Sequence, residues 1–246
     1  MTSSLKYGKI ELWITDMDKF EELFLKWQNS YNFQAFIKDG IVDSEHYTTP
    51  HILFVLRDMN WQTDRDLRFD LRDHGSGWKT WNNIGRWTKA LLDGDEEYPY
   101  DMSIPQRVEQ LRRIAVLNLK KEGGVSRAQG DELLESVKTQ HGLILEEVCL
   151  CNPEIIICCG LSSSGMPGNA DLLKNYVFPE TSEWMQFHSC TFDREWWYYY
   201  ANLTDKKIPI ISFCHPQVTN LSGYRGHEAL FKPLYRDMLE IRRKFL

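Results

Sequence analysis

His51-Ile52-Leu53-Phe54-Val55-Leu56-Arg57-Asp58-Met59-Asn60 sets an unbroken apolar run directly ahead of a charged pair. A run of that length, rich in Ile, Leu, Val and Phe, reads as a strand covered on both faces, the kind found inside a parallel sheet. Two later stretches repeat the pattern: Ile114-Ala115-Val116-Leu117-Asn118-Leu119 and Ile208-Pro209-Ile210-Ile211-Ser212-Phe213-Cys214-His215-Pro216. In open α/β sheets the carboxyl ends of the strands line the ligand crevice, so Asp58, Asn118 and His215 are expected to meet there.

Between these runs the spacing is helical. Phe20, Leu23, Phe24 and Trp27 predict a helix over Asp18 to Asn29, with Thr15 or Asp16 able to cap it. The charged, glycine-bearing loop Gln62 to Gly77 leads to a helix through Trp81, Ile84, Trp87 and Leu91 that closes near Gly94. Pro105 opens another at Gln106 to Arg112. After Gly123-Gly124, Ser126 caps a long helix carrying Leu133, Leu134, Val137, Ile144 and Val148, with a kink expected at Gly142. Asn152-Pro153 breaks it, Glu154 to Cys159 is a further strand, and Leu230, Leu234, Met238 and Ile241 mark a terminal helix. Trp184 to Tyr200 carries Phe187, Phe192, Trp196, Trp197 and three tyrosines and takes no clear assignment. Strands alternating with helices imply right-handed crossovers. The expected fold is therefore α/β: a three-layer α/β/α sandwich around a central, mainly parallel four-stranded sheet. Residues 1–246 are read as one domain, with 1–48 a helical amino-terminal extension.

Lys plus Arg number 29 and Asp plus Glu 35, a formal charge of −6, which does not suit a general nucleic-acid coat. A locally basic face remains open, because Arg57, Arg65, Arg68, Arg72, Lys79, Arg86, Lys120, Lys121, Arg127 and Arg225 fall near the motif loops; each reads equally well as a solvated surface charge. No apolar stretch reaches the roughly 18 to 20 residues of a membrane span, and Met1 to Lys9 lacks a signal-peptide core. A soluble, cytoplasmic protein without a membrane partner is expected. Cys158 and Cys159 point to opposite faces of one strand, so the six cysteines read as reduced packing residues rather than metal ligands.

Singly, the strand-end residues are ambiguous. Asp58 can cap the next turn, and Asn118 can satisfy local backbone groups. His215 ahead of Pro216 is more pointed, because the proline stiffens the loop that holds the imidazole.

Taken in order, the set resembles the uracil-DNA glycosylase superfamily. Its members carry a strand followed by a motif such as Gly-Gln-Asp-Pro-Tyr-His, a strand ending Leu-Leu-Asn, and a strand ending in His-Pro-Ser. Leu56-Arg57-Asp58-Met59-Asn60-Trp61 looks like the first, Val116-Leu117-Asn118 the second and His215-Pro216-Gln217-Val218 the third. Trp81-Asn82-Asn83-Ile84 is similar to a family Leu-x-Asn-Ile helix start, and Tyr224-Arg225-Gly226 to a Tyr-Arg-Gly beyond the last motif. The likeness spans about residues 50 to 246 and rests on order and spacing, since each motif is short.

The resemblance implies a monofunctional DNA glycosylase. Breaking the bond between sugar and base builds positive charge on the sugar and negative charge on the base. Asp58 would stabilise the cation and steer water, His215 would donate to the base carbonyl, and the Asn118 amide would read one edge of a flipped base. Neither metal nor cofactor is needed. Phe69, then Trp78, are the expected stacking rings for the base. Val218 or Leu221 would wedge into the gap it leaves. Ser162, Ser163 and Ser164 would contact phosphates, as would Arg225. Each of these also has an ordinary packing or turn reading.

The chain departs from the pattern at Met59-Asn60, where uracil-specific members have Pro-Tyr. That tyrosine crowds the pocket, so Asn60 implies a wider one and a modified pyrimidine as substrate. The setting is then DNA repair or defence against phage with modified DNA, the partner single- or double-stranded DNA, and the protein a monomer. A non-catalytic module that keeps the pocket, binding nucleic acid or a nucleotide, is the main alternative. A hydrolase of free nucleosides is another; no Gly-x-Ser-x-Gly elbow is present.

Overall fold

The computed structural model describes residues 19–123, 130–163 and 165–246, with only the backbone at residues 227 and 228. In chain order the elements are α1 (residues 19–30), β1 (Ile37–Lys38), β2 (Gly40–Ile41), β3 (Ile52–Leu56), β4 (Arg65–Asp66), α2 (Leu67–His74), α3 (Lys79–Asp93), α4 (Ile104–Leu111), β5 (Ala115–Asn118) and α5 (Gly130–Cys151). Then follow β6 (Ile155–Cys159), α6 (Asn169–Leu172) with a wide turn Leu173–Val177, β7 (Met185–His188), β8 (Glu195–Leu203), β9 (Lys206–Phe213), β10 (Asn220–Leu221), β11 (Tyr224–Arg225) and α7 (His227–Phe245).

The main sheet has the order β2-β5-β3-β6-β9-β8-β7. The four runs read from the sequence form its middle, β5-β3-β6-β9, all parallel. The expected four-stranded sheet is nevertheless too small: seven mixed strands are present, with β2 antiparallel on one flank and β8 and β7 antiparallel on the other. The reason lies in β8. Leu203 pairs with Lys206 across a two-residue turn in which Thr204 has φ 53°, so β8 returns directly as β9 without a crossover. Leu203-Thr204-Asp205-Lys206 lacks the Asn-Gly or Gly signal of such a turn, and aromatic residues on both faces of β8 hide its alternation.

Strand alternation sends the core to both faces. Ile52, Phe54 and Leu56 of β3, with Ile155 and Ile157 of β6, pack under α2, α3 and α7 through Leu71, Trp81, Trp87 and Met238. Leu53 and Val55, with Ile156 and Cys158, pack under α1 and α5 through Phe24, Trp27, Val137 and Val148. The sheet is thus buried on both sides, as continuous apolar strands require. A capping box between Ser103 and Gln106 starts α4. The helix α5 runs through Gly142 and ends where Asn152 takes φ 44°. The expected cap Ser126 lies outside the described residues.

The amino-terminal extension is not purely helical. β1 pairs with β4, and β2 joins the main sheet through Gly40 and Ile41, so the segment 37–41 is part of the domain. The remainder of 1–48 before residue 19 lies outside the described residues. All six thiols are free, and Cys151, Cys158, Cys159 and Cys214 are buried. Among the described residues no cluster of His, Cys, Asp and Glu is placed to hold a metal, and no helix is long and apolar enough to cross a membrane.

Candidate functional site

Because β5, β3, β6 and β9 run parallel, Asn118, Arg57-Asp58, the loop after Cys159 and His215 all lie at one edge of the sheet. The ladder between β3 and β5 continues past the strand ends: Leu119 N–H donates to Leu56 O (3.0 Å) and Lys120 N–H to Arg57 O (2.8 Å). That extension fixes the backbone carrying Asp58. The Asp58 carboxyl takes no hydrogen bond or ion pair among the described residues. Partial burial raises it above its ordinary value, Lys120 and Arg57 pull it back, and Glu132 adds to the rise.

His215 sits in a tight turn closed by Val218 N–H to His215 O (2.9 Å). The Gln217 N–H donates to His215 Nδ1 at 3.1 Å. Burial against the surrounding loops, then the Arg57 guanidinium, push the imidazolium down to about 4, although the residue keeps substantial contact with solvent. The ring is therefore neutral at physiological pH. With Nδ1 an acceptor, its proton resides on Nε2, which is left as an outward donor.

Arg57 links the two groups. Its Nε donates to Asn169 Oδ1 (3.3 Å) and its Nη2 to Pro167 O (3.3 Å). Asn169 is fully buried and sews the strand ends together, its Nδ2 donating to Val55 O (3.2 Å) and Cys159 O (3.0 Å). Gly160, at φ 153°, makes that possible: a Cβ there would meet the Asn169 side chain at 3.2 Å. From the far side, Asn83 of α3 donates its Nδ2 to Pro216 O at 2.5 Å and so ties the His-Pro loop to the helix.

Several expected site residues do other work. Asn118 is fully buried, and its backbone N–H and Nδ2 both donate to Asp39 Oδ2 (2.7 and 2.8 Å). Its Nδ2 is therefore engaged by Asp39, while its Oδ1 is buried with no hydrogen-bond partner among the described residues. Asp39 in turn pairs with Lys121, which also lies 2.6 Å from Glu147 and has the Trp27 ring 4.8 Å away; all three ionisable groups are buried. Burial opposes the Lys121 charge, but Asp39 and Glu147 outweigh it and hold the ammonium above its ordinary value. Burial and the Asp39 carboxylate drive Glu147 well upward, with the Lys121 ammonium pulling it back.

Leu221 is core, and Val218 packs against the same core, so neither is a free wedge. An apolar residue beside a hairpin folds inward when the core has room for it. The exposed aromatic of that hairpin is Tyr224, which meets Phe192 edge-on at 5.2 Å. Ser162 donates to Asp171 and accepts from Gly168 N–H (3.2 Å), so its hydroxyl is engaged in capping α6. Ser163 is exposed and closes a turn with Met166, while Ser164 lies outside the described residues. Phe69 and Trp78 are exposed, at 44% and 46%; Phe69 has the Arg72 guanidinium 4.7 Å from its ring. Met59 turns into the core and Asn60 faces solvent.

The aromatic insert builds a wall. Trp184 and Trp197 border a cavity of about 410 Å³ that also includes Leu161, Ser162, Arg194 and Ser212. Asp58, Asn118 and His215 do not line it. Arg194 stands beside Cys214, and its buried Nε has no hydrogen-bond partner among the described residues. Sequence reading named Arg57 only as one basic residue among ten and missed Asp39 and Asn169. The pairs they form span long stretches of chain, and only an adjacent apolar run marks such positions. Compared with family models, with curated proteins and with solved structures, the chain matches none.

Proposed function

We propose that the chain is a divergent relative of the uracil-DNA glycosylases, a monofunctional glycosylase that flips a pyrimidine out of DNA and hydrolyses its N-glycosidic bond. The observation that carries this reading is the His215 ring: neutral, with Nδ1 accepting from Gln217 and an Nε2–H donor presented at the same sheet edge as the unpartnered Asp58 carboxylate. A glycosidic bond breaks heterolytically, its electron pair leaving with the base. A neutral donor to the base carbonyl stabilises that anion without protonating it beforehand. The Asp58 carboxylate faces the opposite charge, on the sugar, and orients the water that adds to C1′ and loses its proton. The products are a free base and an abasic site.

Asn60, smaller than the tyrosine of uracil-specific members, favours a modified pyrimidine as the substrate base. Asn118, fully buried with its Nδ2 bound to Asp39, favours the second reading: a non-catalytic nucleic-acid or nucleotide-binding module. DNAs carrying uracil or single modified pyrimidines, incubated with the protein and cleaved with alkali, distinguish the two. Excision from one of them, abolished in Asp58→Asn and lowered at least about a hundredfold in His215→Ala, is the expected result. Salt-sensitive DNA binding with no abasic product from any of them selects the binding module.

A further inference from the structure

A second cavity, of about 710 Å³, opens at the Asn83 clamp between the start of α3 and the start of α7, and Lys79, Asn82, Arg86 and Arg225 line it together with Asn83, Gly226, Ala229 and Phe231. Lys79 and Arg225 are exposed, and neither side chain makes a hydrogen bond or ion pair among the described residues. Arg86 is held in place without a carboxylate partner among the described residues, its Nε donating to Pro99 O (2.9 Å), its Nη2 to Tyr100 O (2.9 Å) and its Nη1 to Asn83 Oδ1 (3.4 Å), with the Tyr98 and Phe231 rings beneath the guanidinium.

Behind this wall stands Arg107, 6% exposed, with its Nε buried and unpartnered and no acidic neighbour in reach. Its burial and the adjacent Arg86 both work against its charge. One Nη donates to the Asn82 carbonyl, which turns the Asn82 amide donors to the other side. Gly226 (φ 89°), at the amino end of α7, also lines the cavity, so the positive end of a 19-residue helix lies beside it. Three cations on the cavity wall, the buried Arg107 behind it and the positive end of α7 make the basin favourable for an anion.

We propose that this basin binds phosphate groups, with Lys79, Arg86 and Arg225 contacting the oxygens and Arg107 acting through Asn82 as a positioning residue. Its volume exceeds that of one phosphate, which fits either consecutive phosphodiesters of DNA or the polyphosphate of a nucleotide. The choice of DNA rests on the glycosylase reading; the anion site does not.

The test uses the full chain and the double variant Lys79→Gln/Arg225→Gln, both sites being exposed and unbonded, with fluorescein-labelled single-stranded DNA, inorganic pyrophosphate and deoxycytidine triphosphate as probes. DNA affinity is expected to fall at least about tenfold in the double variant, with the slope of log affinity against log salt reduced by about 1.4, two phosphate contacts at ~0.7 each. If pyrophosphate and the nucleotide raise the wild-type Tm, fail to raise that of the double variant, and DNA does not bind, the basin stands and its source is a free nucleotide. Equal DNA affinity and salt slope in both proteins, absence of binding to all three probes, or displacement of DNA as readily by polyglutamate as by pyrophosphate would each overturn the proposal. Failure of the excision reading looks different: normal DNA binding, normal loss in the double variant, and no abasic product.

Discussion

His215 owes its neutral state to crowding and to the Arg57 guanidinium, and Asp58 feels the same cation with the opposite preference. Removing that cation with Arg57→Gln therefore raises both groups. A histidine whose folded value lies near 4 against 6.5 unfolded costs stability as pH falls from 6.5 through 4; in Arg57→Gln this window narrows from its lower end. NMR titration of the imidazole should show its midpoint moving upward, and the acid limb of any excision profile should move the same way. A midpoint that stays put separates Arg57 from the site. Glu147 carries the reverse sign. Its folded value lies above the unfolded one, so the native state holds the proton more tightly and stability declines as pH rises above about 4.5. Glu147→Gln removes that decline. Urea unfolding at pH 5 and pH 8 should show the variant gaining on the wild type at the higher pH, and an equal difference at both would place no titrating proton on Glu147.

At the level of elements, the site depends on ties between parts distant in the chain. Asn83→Ala leaves the buried Pro216 carbonyl without its donor, a loss of about 1–3 kcal/mol in chemical denaturation. A fall in kcat larger than any change in KM is expected, because the loop loses its position rather than its chemistry. Asp237 of α7 accepts from Ser189 Oγ (2.8 Å), Cys190 N–H (3.1 Å) and Trp196 Nε1 (2.9 Å), and so holds the β7–β8 hairpin to the helix. Asp237→Ala strands those buried donors. It should cost about 3 kcal/mol or more and speed amide exchange in β7 and β8 ahead of β3 and β6; uniform exchange throughout the sheet would contradict the local tie. The β3, β5, β6 and β9 runs were legible because burial on both faces leaves a continuous apolar signature. β8 was not, since its turn lacks a glycine and its aromatics cover both faces. Asn118 was legible as a strand-end polar residue, but its partner Asp39 lies 79 positions away as the single residue between two short strands, and no local pattern reports such a pairing. The inward turn of Leu221 was hidden likewise, because only the assembled core decides whether a hairpin residue has somewhere to go.

Over the whole molecule, the border strands of the main sheet are β2, two residues long, and β7, four residues long with exposed Gln186 and His188. The four parallel strands are enclosed between antiparallel neighbours and present no unpaired amides of their own. Growth by stacking one molecule's strand on another's needs a long, flat, apolar margin, and this protein exposes none on those two flanks among the described residues. Concentrated solutions held below the unfolding temperature should accordingly stay clear of thioflavin-positive fibrils, and Gln186→Val with His188→Val, which makes one margin apolar, should shorten the lag before they form.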